Sequence, residues 1–308
     1  MTRAPLALAV LVGAIGLALL PLLAPSYYAS LMIPFFGYAI ALLGFNLLFG
    51  YTGLLSFGHA MFLGFGAYGA AVLAGKLGIT SFEIVLIAVM ASAALVALPI
   101  GLFCVRYVGI FFGMLTLDVT GGDSGMRVPR MNILGLEFAQ YNKIEFLAGP
   151  FYYYSLALLI IAAAVMWRIV HSPFGLHLKA ARDNARKAEY LGVHVHRFRL
   201  AAFVISAAYG AAGGAILGFR VGLADPELVY WTQSGQLVFM AVLGGFSNFF
   251  GPIVGAFAFT LLQDQLQSLT QYWRFILGAV LAVIVIAFPE GLAGLAGSLR
   301  RTRAGKTA

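Results

Sequence analysis

Ser56 and His59 stand three residues apart in the stretch "LFGYTGLLSFGHA", and Asn46 lies just upstream. On a helix, side chains at i and i+3 share a face, so this hydroxyl and imidazole are spaced to meet as nucleophile and base. Catalysis of that kind also needs donors aimed at a developing oxyanion and a base aimed at the hydroxyl, and the flanking glycines and leucines offer no such pattern. The pair reads more simply as polar side chains in an apolar run, with His59 satisfied by a neighbouring helix. No G-x-x-x-x-G-K-[ST] pattern occurs anywhere, so nucleotide hydrolysis is not expected of this chain itself.

A second concentration of chemistry is the stretch "HLKAARDNARKAEYLGVHVHRFR", residues 177–199. Leu178, Ala181, Ala185, Ala188 and Leu191 recur at spacings of three and four, while Lys179, Arg182, Asp183, Arg186, Lys187 and Glu189 take the other faces. That periodicity predicts one short amphipathic helix with an apolar stripe made mostly of alanine. Gly192 follows it, where a left-handed cap would stop the helix. A solvated basic loop accounts for the charge but not for the stripe and the stop. A helix lying on lipid would want Trp, Phe or Leu on its buried face rather than alanine. Docking against a protein partner accounts for all three features.

The rest of the chain decides what holds these elements. Of 308 residues, 62% are hydrophobic and only 10% charged, with a mean hydropathy of +0.95. That exceeds a soluble domain and predicts an integral membrane protein. Long continuous apolar runs select helices over a barrel, since backbone polar groups find no water in hydrocarbon. The formal net charge of +8 fits a membrane protein that collects Lys and Arg on one side, and nucleic acid is not required to explain it. Cys104 is the sole cysteine and reads as a packing residue, so the sequence predicts neither a disulfide nor a metal centre, and no cofactor.

Apolar runs broken by Gly, Pro and charge predict ten spanning segments, near 6–24, 27–49, 53–74, 82–103, 106–119, 150–170, 200–221, 228–245, 252–269 and 273–289. The first of these reads as a spanning helix rather than a secretory leader. With the N-terminus inside, 13 of the 19 basic residues fall on the cytoplasmic face, seven of them within 168–199. The expectation is thus an all-α polytopic membrane bundle of about ten segments, with both termini cytoplasmic. It is a single domain over 1–308, and 171–199 is its largest cytoplasmic loop. Asp118 reads as an outer-interface residue.

Glycine and proline interrupt both halves, at "LFGYTGLLSFGHA" and "LGGFSNFFGPIVG". Helices broken at corresponding positions are a pointer to a solute path, because freed backbone groups can face a polar cavity; close helix packing is the alternative reading of the same glycines. Asn46, Ser56 and His59 are then candidates for contact with a passing zwitterion or its water.

Three blocks, "YAIALLGFNLLFGYTGLLSFGHAMFLGFGAYGAAVL" (38–73), "SPFGLHLKAARDNARKAEYLGVHVHRFRLAAFVISAAYGAAGGAI" (172–216) and "VLGGFSNFFGPIVGA" (242–256), resemble the LivM-type permease subunits of branched-chain amino acid ABC importers. With "GIFFGMLTL" and "TGGDSGMRVPR" they run through most of the chain in the family's order. The resemblance implies a permease subunit in a bacterial inner membrane that is not itself an enzyme. Its implied partners are two ATP-binding subunits, a homologous LivH-type permease and a periplasmic substrate-binding protein. It further implies that 182–192 is a coupling helix seated on an ATP-binding subunit, carrying Arg182, Asp183, Asn184, Ala185, Lys187, Ala188, Glu189 and Gly192. Related permeases serve urea, amides and aromatic acids, and a stand-alone ion-driven transporter is the alternative class, although that class usually buries acids mid-membrane. One departure stands out: the segment 106–119 reaches only about 21 Å as a helix, against a hydrocarbon core of roughly 30 Å.

Overall fold

The computed structural model describes residues 3–104, 125–136, 141–287 and 291–294. The expected span at 106–119, and Asp118 within it, lie outside the described residues. Before residue 105 the chain forms α1 (Arg3–Leu23), α2 (Ser26–Thr52), α3 (Ala60–Gly75) and α4 (Phe82–Cys104). After it come α5 (Lys143–Val170), α6 (Pro173–Asp183), α7 (Ala185–Tyr190) and α8 (Val195–Val221). A 3₁₀ turn (Pro226–Val229) leads to α9 (Trp231–Gly244), α10 (Gly251–Leu269) and α11 (Trp273–Ala287). Within α5 the residues Leu147–Phe151 form a π-turn, where Pro150 lacks the amide that would continue regular α-helical bonding. A two-stranded antiparallel ribbon, β1 (Met126–Arg127) with β2 (Leu223–Ala224), ties the segment 125–136 to the end of α8.

The nine expected spans outside 106–119 are helical over most of their length, with one correction: residues 53–59 are not helical, and α3 begins only at Ala60. Among the described residues four helices are long and apolar enough to cross a membrane, namely Ser26–Thr52, Phe82–Phe103, Lys143–Val170 and Val195–Val221. Their burial sorts them into two layers. The apolar windows of α2 and α8 are 83% and 72% covered by protein, whereas those of α4 and α5 are 33% and 28% covered. Helices apolar all round belong in a core, and α2 and α8 form it; α4 and α5 present apolar surface outward.

In lipid, apolar area alone does not draw helices together, and close packing of small residues does. α8 packs on α2, α3 and α4, and on the first two of these through the sequence "AAYGAAGGAI". A methyl group at Gly213 would stand 2.4 Å from the carbonyl oxygen of Gly37 in α2, and one at Gly214 would stand 1.9 Å from that of Leu63 in α3. The two glycines face two different helices, so α8 is wedged between them backbone to backbone. The Ser206 hydroxyl adds a 2.7 Å bond to the Gly44 carbonyl across the α2 contact.

Gly214→Ala therefore forces α3 away from α8, at a cost of about 1–3 kcal/mol. Gly235→Ala, whose added methyl meets nothing within 4 Å, is its control. Thermal unfolding in detergent should fall by several degrees for the first variant and stay near wild type for the second.

Candidate functional site

The first interruption is a helix end with its partners supplied by distant residues. α2 closes at Gly53 in the left-handed conformation (φ 74°), whose amide bonds back to the carbonyl of Phe49 at 3.1 Å. Carbonyls near a helix C-terminus have no partner within the helix and carry the negative end of its dipole. Arg182, at the end of α6 in the charged loop, donates from Nη1 to the Gly50 carbonyl at 2.6 Å. Its stem lies against Gly53, 3.0 Å from the place a methyl there would take. Lys179, one turn earlier, holds its ammonium 5.1 Å from the centre of the Tyr51 ring. Two cations of the loop thus grip the last turn of α2. At the other side of the break, the Ala60 amide opening α3 donates to Ser234 Oγ of α9 at 3.0 Å.

Asn46, Ser56 and His59 are all buried, and among the described residues Asn46 Oδ1, Ser56 Oγ and both imidazole nitrogens have no polar partner. A nucleophile and base pair is therefore not formed. Ser56 and His59 lie in the irregular link 53–59 rather than on one helix face, and His59 stands edge-on between Phe45 and Phe62 at ring-centre distances of 5.3 and 5.6 Å. Asn46 sits where α2 meets the second interruption. A methyl on Gly50 would fall 2.5 Å from Asn46 Oδ1 and 2.5 Å from the Phe246 carbonyl, and the Phe49 and Phe246 rings are 4.6 Å apart. That second break runs from Gly244 through Gly245 (φ 95°) to Gly251, where α10 begins. The two interruptions, some two hundred residues apart in sequence, meet around Gly50.

The charged loop departs from the single helix expected. Asn184 is extended (φ −158°, ψ 98°) and its side chain accepts from the Lys187 amide, so it ends α6 and caps α7. Gly192 (φ 85°) does stop α7, with its amide on the Glu189 carbonyl at 2.9 Å and that of Val193 on the Ala188 carbonyl at 3.0 Å, a paired closure that needs a left-handed residue. The alanine stripe points inward. Ala181 and Ala188 are buried with Val195, with Ala185 and Val193 against them, and Leu178 joins the main core. The outward residues are Arg182, Asp183, Asn184, Arg186, Lys187 and Glu189, together with Tyr190 and Leu191 at 89% and 85% exposure.

These features coincide with a family assignment. The family described as branched-chain amino acid transport system / permease component matches residues 27–285. The chain belongs to this family. LivM, the high-affinity branched-chain amino acid transport permease of Escherichia coli K12, is 27% identical over 291 residues, covering 83% of this chain and 67% of LivM. BraD of Pseudomonas aeruginosa, a permease of the same description, is 20% identical over 83% of this chain and 91% of its own length. LivH of Escherichia coli K12 is 27% identical over 129 residues, 41% of each chain. No solved structure matches. The protein is a LivM-type transport permease component, helical and multi-pass in the membrane.

Ser234, the outside partner of α3, is a site residue that periodicity does not reveal, because its only mark is a hydroxyl in a short apolar helix. Arg182→Ala removes a charge-assisted bond at a partly exposed position, a loss of about 1 kcal/mol after allowance for solvent. Amide hydrogen exchange of residues 53–56 should then quicken by roughly fivefold, with the α8 amides unchanged.

Proposed function

We propose that this chain is one of two permease subunits of an ATP-driven importer of branched-chain amino acids in a bacterial inner membrane. The second permease is LivH-like, two ATP-binding subunits lie on the cytoplasmic face, and a periplasmic binding protein delivers the substrate on the other. In this reading residues 1–308 form one domain of about ten spanning segments with both termini inside, and 171–199 faces the cytoplasm. The observation that carries it is the bond from Arg182 of the charged loop to the Gly50 carbonyl at the end of α2.

A motor that closes beneath the membrane moves a permease only through an element docked to it and rigidly held above. The loop combines both properties. Its alanines fasten it to the bundle and Gly192 ends it firmly. The residues left to face an ATP-binding subunit are Asp183, Asn184, Lys187 and Glu189 with Tyr190, while Ala185 and Ala188 act as the packing beneath them. Arg182 passes displacement to α2 and hence to the link carrying Ser56 and His59, which together with Asn46 line the path.

The reading is tested in proteoliposomes that hold the assembled complex with ATP inside. Leucine uptake should require ATP and the binding protein. Glu189→Arg or Tyr190→Asp should cut uptake at least tenfold while ATP hydrolysis persists, and Gly192→Leu should do the same by straining the left-handed stop. Uptake by this chain alone, driven by an ion gradient without ATP, contradicts the proposal.

A further inference from the structure

At the end of the bundle away from the charged loop, a cavity of about 320 Å³ opens between the first half of α2, the end of α8 and the helices α9, α10 and α11. Its volume is at the lower end of the roughly 300–1,000 Å³ typical of small-molecule sites. Tyr38 of α2 lines it, about 18 Å along that helix from Gly50. Five charged residues line it, Arg220, Asp225, Glu227, Asp264 and Arg274, and no ion pair joins any two of them among the described residues; Arg220 and Asp264 are the opposite charges on the two long helices that flank it. Arg220, near the end of α8, has no hydrogen bond and no ion pair within 4 Å among the described residues, although Asp264 of α10 is within electrostatic reach. Among the described residues Asp264 accepts one hydrogen bond, at Oδ1 from the Tyr27 hydroxyl at 2.8 Å.

A half-buried cation and anion within electrostatic reach of one another would ordinarily close into a pair. Here they are held apart across a cavity. Of the other charged residues that line it, Glu227 and Arg274 are exposed, and Asp225 accepts from the Glu227 amide at 2.9 Å. Among the neutral groups, Gln233 Nε2 donates to the Tyr38 hydroxyl at 3.0 Å, and the hydroxyl of Thr260, itself buried, has no partner among the described residues. Leu31 and Leu217 supply an apolar wall.

We propose that this cavity is a holding site for the zwitterion of an aliphatic α-amino acid, with Arg220 receiving the carboxylate, Asp264 the ammonium, and the leucine wall the side chain. The inference rests on the importer reading and adds a binding site within the permease itself. A guanidinium offers paired donors to a carboxylate, and Asp264 keeps its second oxygen for an ammonium. Thr260 then finds in the ligand the partner that the protein withholds.

The test measures equilibrium binding of radiolabelled leucine to the assembled complex without its binding protein, with two competitors that each carry one of its charges: isocaproate, the carboxylate alone, and isoamylamine, the ammonium alone. Wild type should bind leucine saturably and prefer it to both. Arg220→Gln should weaken leucine by roughly 10- to 100-fold and erase its advantage over isoamylamine; Asp264→Asn should do the same relative to isocaproate. Arg220→Lys and Asp264→Glu, which keep the charge, should recover part of the affinity, and size-exclusion chromatography checks that each variant assembles. Absence of saturable leucine binding to wild type, competition by isocaproate as strong as by leucine, or unaltered affinity in both charge-removing variants overturns the site. Each of those results with ATP-dependent leucine uptake intact refutes the holding site alone, whereas wild type complex that takes up no aliphatic amino acid refutes the importer reading beneath it.

Discussion

A helix that stops inside a protein exposes carbonyls with no partner, and much of this fold is organised around one such end. The last turn of α2 is completed by Arg182, from a segment 132 positions away in sequence. Tyr51 in the same turn meets the Lys179 ammonium, and Gly50 approaches the Phe246 carbonyl of the second interruption. α2 is also the most thoroughly buried of the apolar helices, so its position is fixed by its neighbours along its whole length. What moves the Arg182 end displaces a packed rod rather than a surface loop, because interiors packed at this density transmit displacement instead of absorbing it.

The glycines of α8 make the rod part of a larger unit. With Gly213 against the α2 backbone and Gly214 against that of α3, the three helices meet backbone to backbone at that level, with no side chain to deform between them there. The link 53–59 is bounded by α2, gripped by the loop, and by α3, anchored to Ser234. It carries the unpartnered Ser56 and His59 at the junction of the two. Buried polar atoms without partners are costly in an apolar setting, and their concentration here fits a place where a solute or its water supplies what the protein does not.

Much of this was readable from sequence where the signal was local. Apolar runs gave most helices within a few residues, and Gly192 was legible as a left-handed stop because only its φ serves that closure. Asn184 hid a break, since Ala181 and Ala188 lie seven apart and stay on one side of the pair whether or not the helix is continuous. The stripe itself was visible, but periodicity tells which face is covered and not by what; it is this chain's own Val193 and Val195 that cover it. The reading of 53–59 as helix failed because glycine and serine interrupt an apolar run without changing its hydropathy. Ser234, and the facing of Arg220 and Asp264, depend on contacts between residues far apart in sequence, which no window along the chain contains.

The central claim is that the charged loop and the interruption after α2 move as one body. Spin labels at positions 190 and 55, both exposed, report it by pulsed dipolar spectroscopy on the assembled complex, with a second pair at 190 and 269 as reference. The account predicts that the 190–55 distance holds constant between the nucleotide-free and ATP-bound states while the 190–269 distance shifts by several ångströms. A 190–55 distance that changes as much as the reference pair would contradict it.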